Sequence, residues 1–370
     1  FFFKQKTAYE IPKRDWSSDV CSSDLSDFAK INEKQCEYCD LHDTLQDQSN
    51  PDGLTAAISK IRKAGDGNKY DCIMGISGGL DSSTLLYTAV RYWGLKPLVI
   101  HFDNNWNAPE AVHNMNGLIN KLGVDAIIYR VNKLEYDRLN ESFLFAGLPD
   151  ADIPNDIAMT KLMYDTANQY GIKYILNGHD FRTEGSTPKP WTYMDAKYIQ
   201  DVYFKYSGSK LQNYPLFTFW DQIYYAFKGI KNIRPFHYGF NRETMEAEMK
   251  RLIQWQDYGG KHCENVYTEF VGSWLLPNKF DIDKRIVYLS AQVRSGKLTK
   301  QQARDLFNEK SEFDLDKLAD QKDKLLALTN LRKGKREDYA KYNFKAYRPL
   351  IWILAKINVV PYTFYVKYCK

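Results

Sequence analysis

The nine residues Gly75-Ile-Ser-Gly-Gly-Leu-Asp-Ser-Ser83 constrain this chain more than any other stretch. An apolar run, Tyr70–Ile76, leads into them, and a helix-like run, Thr84–Tyr92, follows. A strand, a glycine turn and a helix in that order point backbone N–H groups and a helix N-terminus at one spot. Unsatisfied amides and the helix dipole both favour an anion there, so the spot suits phosphate. Ser77, Ser82 and Ser83 add hydroxyl donors, and Gly78 and Gly79 let the backbone approach a ligand closely. A Walker A loop would carry a lysine before its last Ser or Thr, and none stands here. An ordinary glycine turn is the competing reading.

The alternation continues along the chain. A helical pattern over Leu54–Lys63 precedes the loop strand, and Lys96–Phe102 reads as a buried parallel strand by its unbroken apolar run. Helix-like Ala111–Leu122 leads to a third strand, Ala126–Val131, and helix-like Asp156–Tyr170 to a fourth, Lys173–Leu176. Strands alternating with helices predict an α/β fold with a doubly wound parallel sheet. In such sheets ligands lie beyond the carboxyl ends of the strands. The polar clusters Ser77–Ser83, Asp103–Asn107 and Asn177–Glu184 all follow strand ends and are expected to converge. From about Phe240 helical stretches take over: Arg242–Gln256, Asp283–Arg294 and Thr299–Asn308, with the charged run Lys317–Lys335 as a solvated helix face. The expected division is a phosphate-loop domain over 46–240 and a helical substrate or partner domain over 241–370.

Length and composition set bounds. A chain of 370 residues has room for about two domains. Hydrophobic content of 44% and charge of 26% describe an ordinary soluble globular protein. A net charge of +5 is small for this length and gives no strong case for nucleic acid, and no nucleic-acid partner is expected. No apolar run reaches the roughly 18 residues of a transmembrane helix. The tail Pro349–Val360 comes nearest, but Lys356 interrupts it, and it reads as a docked C-terminal element or an interfacial contact.

Six scattered cysteines make no disulfide framework, which suits a reducing, cytoplasmic setting. Cys36 and Cys39 have Cys-x-x-Cys spacing, half of a tetrahedral Zn²⁺ site, with His42 either a third ligand or a surface histidine. Residues 26–45 are read as the remnant of a truncated zinc-ribbon-like module. Residues 1–25 lack the apolar core of a signal peptide. They resemble a translated sequencing adapter, and are expected to be foreign to the protein and disordered.

A loop that holds pyrophosphate leaves the α-phosphorus open to attack from the opposite side. Asp81 suits coordination of Mg²⁺ beside a bound phosphate chain, with capping of the next helix as its other role. Asp103, Asn177, Gly178 and His179 lie at neighbouring strand ends, positioned for the nucleotide; a turn role competes for His179 and Asp180. The lysine-free form Ser-Gly-Gly-x-Asp-Ser resembles the PP-loop of the ATP pyrophosphatases, adenine nucleotide alpha-hydrolase-like proteins that split ATP into AMP and pyrophosphate. Such cleavage activates an oxygen for displacement by ammonia or sulfide.

Three further blocks narrow the substrate: Gln254-Trp-Gln-Asp-Tyr-Gly-Gly-Lys-His-Cys-Glu264, Leu276–Arg285 and Tyr288–Gly296. With the loop and Cys36–His42 they resemble the N-acetyl sugar amidotransferase family of bacterial lipopolysaccharide and flagellin-sugar biosynthesis. The resemblance implies adenylation of the acetamido group of a nucleotide-linked N-acetyl sugar. Ammonia then replaces the oxygen to give an acetamidino sugar, as in pseudaminic or legionaminic acid derivatives. It also implies two partners, a glutaminase subunit and a cyclase-like subunit that channels ammonia. No Cys here sits in a glutaminase-like glycine elbow, which fits an external ammonia source.

Lys261, Lys279, Lys284 and Arg285 are cations suited to a nucleotide-sugar's phosphates or a uronate, each with a surface salt bridge as its plain alternative. Lys261 and His262 are the catalytic candidates beside Asp81. His262 is taken as a proton carrier with a pKa near the working pH, against a structural histidine. Two rivals stand: a PP-loop tRNA sulfurtransferase, which would want cysteines near the site, and a non-catalytic nucleotide-binding subunit of a glycan-synthesis complex.

Overall fold

The computed structural model describes residues 37–188, 191–239, 242–309, 312–356, 365, 368 and 369. The adapter-like segment 1–25 and Cys36 lie outside them. In chain order the first half runs α1 (Glu37–Asp47), α2 (Pro51–Ala64), β1 (Cys72–Gly75), α3 (Leu80–Arg91), β2 (Pro97–Asp103), α4 (Pro109–Leu122) and β3 (Ala126–Arg130). Then come α5 (Lys133–Ala146), α6 (Ile153–Gln169), β4 (Tyr174–Leu176), α7 (Phe181–Glu184), α8 (Ala196–Ser207), α9 (Phe219–Phe227) and β5 (Lys231–Ile233). The remainder is helical: α10 (Glu243–Ile253), α11 (Val266–Glu269), α12 (Leu276–Phe280), α13 (Arg285–Arg294), α14 (Lys300–Asn308), α15 (Lys322–Thr329) and α16 (Arg348–Lys356). Between α11 and α12 the chain winds as a π-helix, Phe270–Leu275.

All strands pair in parallel, in the order β3-β2-β1-β4-β5. The central strands β1, β2 and β4 are covered on both faces, which is why they read as continuous apolar runs, whereas the edge strands β3 and β5 are largely exposed. Residues alternate between two cores: Ile73, Leu98 and Ile100 face α5, α6 and α8, whereas Cys72, Met74 and Val99 face α3 and α4. Met249 and Ile253 of α10 join the second core, and Phe270, Leu276 and Phe280 join the first. Residues on both sides of position 240 therefore build the same cores. The order reverses at β1, with β2 on one side and β4 on the other. That switch point opens a crevice beyond the strand ends.

Some elements differ from the sequence reading. Glu37–Asp47, expected within a zinc-ribbon-like module, is a helix, with Cys39 packed in the core and His42 edge-on to Phe181. Among the described residues no group of three or more His, Cys, Asp or Glu is arranged to hold a metal. No described helix is long and apolar enough to cross a membrane. On α16, Ile351 and Ala355 are buried while Leu350, Trp352 and Ile353 are exposed.

A strap formed by residues after α15 crosses the end of α5. Gly334 donates to the Gly147 carbonyl at 2.8 Å, so close that a Cβ at Gly334 would lie 1.8 Å from the Ala146 oxygen. Beside it Arg336 forks onto Asp150 at 2.5 and 2.8 Å. Tyr198 Oη and Tyr193 N also donate to that carboxylate, whose side chain is 0% exposed. Arg336→Met would leave Asp150 buried without its cation. We expect unfolding free energy to drop by about 3 kcal/mol in urea denaturation, and a loss below about 1 kcal/mol would contradict the assigned role.

Candidate active site

The glycine turn after β1 is held by its own hydroxyls. Ser77 N donates to Ser82 Oγ at 3.3 Å, Gly79 N to Ser77 Oγ at 3.1 Å, and Ser82 Oγ to the Gly79 carbonyl at 3.1 Å. Gly78 has φ +80°, and a Cβ there would meet the Ala111 oxygen at 2.0 Å, so this position tolerates only glycine. At the first turn of α3, Leu80 N donates to Tyr258 Oη at 2.9 Å. Ser83, expected to join the loop's hydroxyls, is fully buried with Oγ unpartnered among the described residues. One helical step of about 100° separates it from Ser82 and carries it into the core.

The three strand-end clusters do converge. His101 Nδ1 donates to the Ile76 carbonyl at 2.8 Å, which leaves Nε2 to accept from Asn107 Nδ2 at 3.2 Å. Gly178 lies against the start of α3, where a Cβ would be 3.2 Å from the Asp81 carbonyl. Asn177 Oδ1 accepts from His179 N at 2.8 Å, a turn role. Asp103 is engaged by Arg130 at 3.4 Å and by Asn107 at 3.2 Å, and does not line the cavity.

Asp81 sits at the centre of a charge cluster. Arg242, 7% exposed, contacts one carboxylate oxygen, and Lys261 Nζ lies 3.2 Å from the other. Burial alone would raise the Asp81 pKa, but Lys261 and Arg242 outweigh it and hold the group at about 2. Glu184 is the opposite case. Burial raises it to about 8, aided by Asp81, so near neutral pH it donates a hydrogen bond to Asp81. Asp81 and Glu184 are paired oxygen donors beside a phosphate-binding loop, a donor set that fits Mg²⁺.

Lys261 and His262 come from a sharply bent loop in which Gly259, Gly260 and His262 have φ +97°, +142° and +64°. His262 opens onto the cavity but is otherwise surrounded by protein. The near-neutral pKa expected for it is corrected: burial, then Lys261 and Lys284, lower it to about 3. Beyond it, backbone bonds Ala108 N to Glu264 O (3.0 Å) and Val266 N to Trp106 O (2.7 Å) stitch this segment to the loop after β2.

A cavity of about 720 Å³ spans these elements, walled by Ser77, His101, Asn104, His179, Lys261, His262, Lys284, Arg285 and Tyr288, among others. Arg285 is tied bidentately to Asp283 (2.7 and 3.1 Å) and donates to the Glu309 carbonyl. Lys284 lines the wall with no hydrogen-bond or ion-pair partner among the described residues. Lys279 is not brought here; it lies over the Phe280 ring, away from the cavity wall. Sequence reasoning did not single out Arg242, Glu184, Arg234 or Asp156. Glu184 stood within a flagged cluster, but Arg242 carried no signal beyond a helical pattern.

A doubly wound parallel sheet with a lysine-free phosphate loop at its switch point defines the class of protein. Comparison with known proteins adds a more particular match. Residues 264–351 fit the family model "LPS biosynthesis protein WbpG-like, C-terminal domain". An uncharacterized protein of Methanocaldococcus jannaschii is 30% identical over 115 residues, 31% of this chain; the chain spans 40% of that relative's length. Among solved structures, NMN synthetase from Francisella tularensis gives a TM-score of 0.35 at 12% identity, over 80% of this chain and 99% of that one. An NH3-dependent NAD synthetase from Campylobacter jejuni gives 0.27 at 11%, over 58% and 93%. The U34-tRNA thiolase NcsA from Methanococcus maripaludis gives 0.27 at 12%, over 79% and 92%. At these scores the structural likenesses carry no weight.

The histidines by the cavity have a consequence for stability. His179 Nδ1 and His237 Nε2 share a hydrogen bond at 3.1 Å. Burial, then Arg234 and Lys261, lower His179 to about 4; burial, then His179 and Arg234, lower His237 to about 4. The unfolded chain, with histidines near about 6.5, binds more protons than the folded one between about pH 6.5 and 4. Stability is therefore lost as pH falls through that window. His179→Gln should flatten part of that slope in urea melts between about pH 7 and 5, and an unchanged slope would contradict it.

Proposed function

We propose that the chain is an ATP-dependent amidotransferase of the PP-loop type. It adenylates the acetamido group of a nucleotide-linked N-acetyl sugar and replaces the oxygen with ammonia, releasing AMP and pyrophosphate. One observation carries this reading. The segment that matches the lipopolysaccharide-biosynthesis domain supplies Glu264, Asn265, Thr268, Lys284, Arg285 and Tyr288 to the same cavity wall as Ser77 of the phosphate loop. That the phosphate-type loop and the segment fitting the lipopolysaccharide-biosynthesis model line one cavity supports this reading.

The geometry supports the following proposed roles. The loop amides and the hydroxyls of Ser77 and Ser82 receive the β- and γ-phosphates, exchanging their present internal bonds for bonds to the anion. Asp81 and Glu184 would hold Mg²⁺, which offsets triphosphate charge; Lys261 stays close enough to reach a phosphate oxygen. Arg234, cavity-lining and without a partner among the described residues, supplies a further guanidinium for an anion. His262, neutral at working pH, is a hydrogen-bonding group, and Lys284 faces the sugar side. Ammonia is proposed to come from a separate glutaminase subunit through a cyclase-like subunit, in the cytoplasm.

The tRNA sulfurtransferase reading draws little support from the site. Among the described residues no cavity-lining residue is a cysteine. Cys72 is buried in β1, and burial followed by Glu269 pushes the Cys263 thiol up to about 12.

With ATP, Mg²⁺, ammonium and a UDP-linked acetamido sugar, the protein should release AMP and pyrophosphate in equal amounts. ADP as the product would overturn the assignment. Asp81→Asn should slow this turnover by about 10²-fold or more while leaving the circular-dichroism spectrum unchanged, and full activity would remove Asp81 from its role.

A further inference from the structure

The cavity's acids divide sharply by what they touch. Asp152 accepts from Asn155 Nδ2 at 2.8 Å and from Thr268 Oγ1 at 2.9 Å. Asp283 is held by Arg285, Glu269 by Lys317 at 2.8 Å, and Glu264 receives Ser77 Oγ at 3.5 Å. Glu184 is engaged by Asp81 and Lys261. Asp156 alone among these cavity acids has a carboxylate with no hydrogen-bond or ion-pair partner within the described residues, and its side chain is exposed to the cavity. A carboxylate left unpaired in a cavity is one that a ligand would meet.

Its position is rigid, on a helix that packs against the strand leading into the phosphate loop. Asp156 stands in the first turn of α6, and one turn further on Met159 packs against Gly75 at the end of β1, its sulfur 3.4 Å from where a Cβ would be. That first turn is pinned by a buried polar chain. Asn155 Oδ1 accepts from Tyr136 Oη at 2.6 Å and from Asn104 Nδ2 at 3.1 Å, and Asn104 Oδ1 accepts from Asn265 Nδ2 at 2.8 Å. Bases held on helices by such a second layer of bonds keep their aim.

We propose that Asp156 is the catalytic base that takes the proton the attacking nitrogen must shed, an assignment that rests on the amidotransfer reading above. Adenylation of the neutral amide leaves a cationic O-adenylyl imidate. The lone pair of ammonia forms the C–N bond, and the C–O bond to AMP breaks with its electron pair leaving on AMP. The amidinium product keeps two of the three hydrogens that ammonia brought. The third passes as a proton to Asp156 and from there through the open cavity to solvent. The enclosing protein and the Asp152 charge raise the Asp156 pKa, with Lys284 opposing, so the carboxylate is a stronger base than ordinary aspartate. His262, lowered to about 3, is a much weaker one.

The test compares wild type with Asp156→Asn in two assays, with ATP, Mg²⁺ and a UDP-linked acetamido sugar. Pyrophosphate exchange into ATP reports adenylation alone; amidine formation with ammonium reports both steps. The variant should retain exchange within about 3-fold and lose about 10²-fold in amidine formation. Hydroxylamine, a nucleophile that needs less base assistance, should recover most of that loss. Amidine formation at the wild-type rate would overturn the assignment. So would a parallel fall in exchange, which would make Asp156 a binding group. Absence of both activities in the wild type would sink the amidotransfer reading, and this assignment with it.

Discussion

The carboxylate of Asp81 ties the molecule's two chemistries together. It stands in the first turn of the helix that follows the phosphate loop, and its counter-charges arrive from Arg242 and Lys261, both beyond position 240. Removing it would leave two cations facing each other with little water, which is costly. So the pair of contacts fixes where the later part of the chain sits over the sheet. The backbone bonds around Glu264 and Trp106 extend that seam, so the floor and the roof of the cavity are positioned by the same interactions. Because Glu184 shares the Asp81 carboxylate, a divalent cation arriving there would exchange with a proton and an ammonium rather than fill a preformed empty cage.

Charge pairing also sorts the cavity into structure and function. Arg285, Asp283, Asp152 and Glu269 are committed to protein partners and hold walls in place. Arg234, His262, Lys284 and Asp156 face the cavity without such partners among the described residues. Cations flank the phosphate-loop end, and Asp156 lies with Lys284 on the wall formed by α6 and α13. A ligand with an anionic nucleotide portion and a reacting group of changing charge matches that arrangement.

Much of the fold was legible because central parallel strands such as β1 and β2, buried on both faces, leave short apolar runs bounded by turn residues. β5, the three residues Lys231-Asn-Ile233 at the sheet edge, has no such run and gave no signal. The site was legible where spacing within one turn decides it: Ser77, Gly78, Gly79 and Asp81. It was not legible where pairing is decided across the fold, as for Arg242, which meets Asp81 from more than half the loop domain away in sequence. Lys279 shows the converse. Its charge block looked continuous with Lys284 and Arg285, but Asp281, left-handed at φ +57°, ends α12, so Lys279 belongs to a different helix from Arg285. Ser83 failed for a simpler reason, since adjacent residues on a helix face different ways.

The most direct test follows one atom. If the acetamido oxygen attacks the α-phosphorus, substrate labelled at that carbonyl with a heavy oxygen isotope must deliver the label into AMP. Mass spectrometry of the nucleotide product should then find one labelled oxygen per AMP and none in the sugar's new amidine. Unlabelled AMP formed alongside amidine would contradict adenylation of the acetamido group, and with it the role given to the loop after β1.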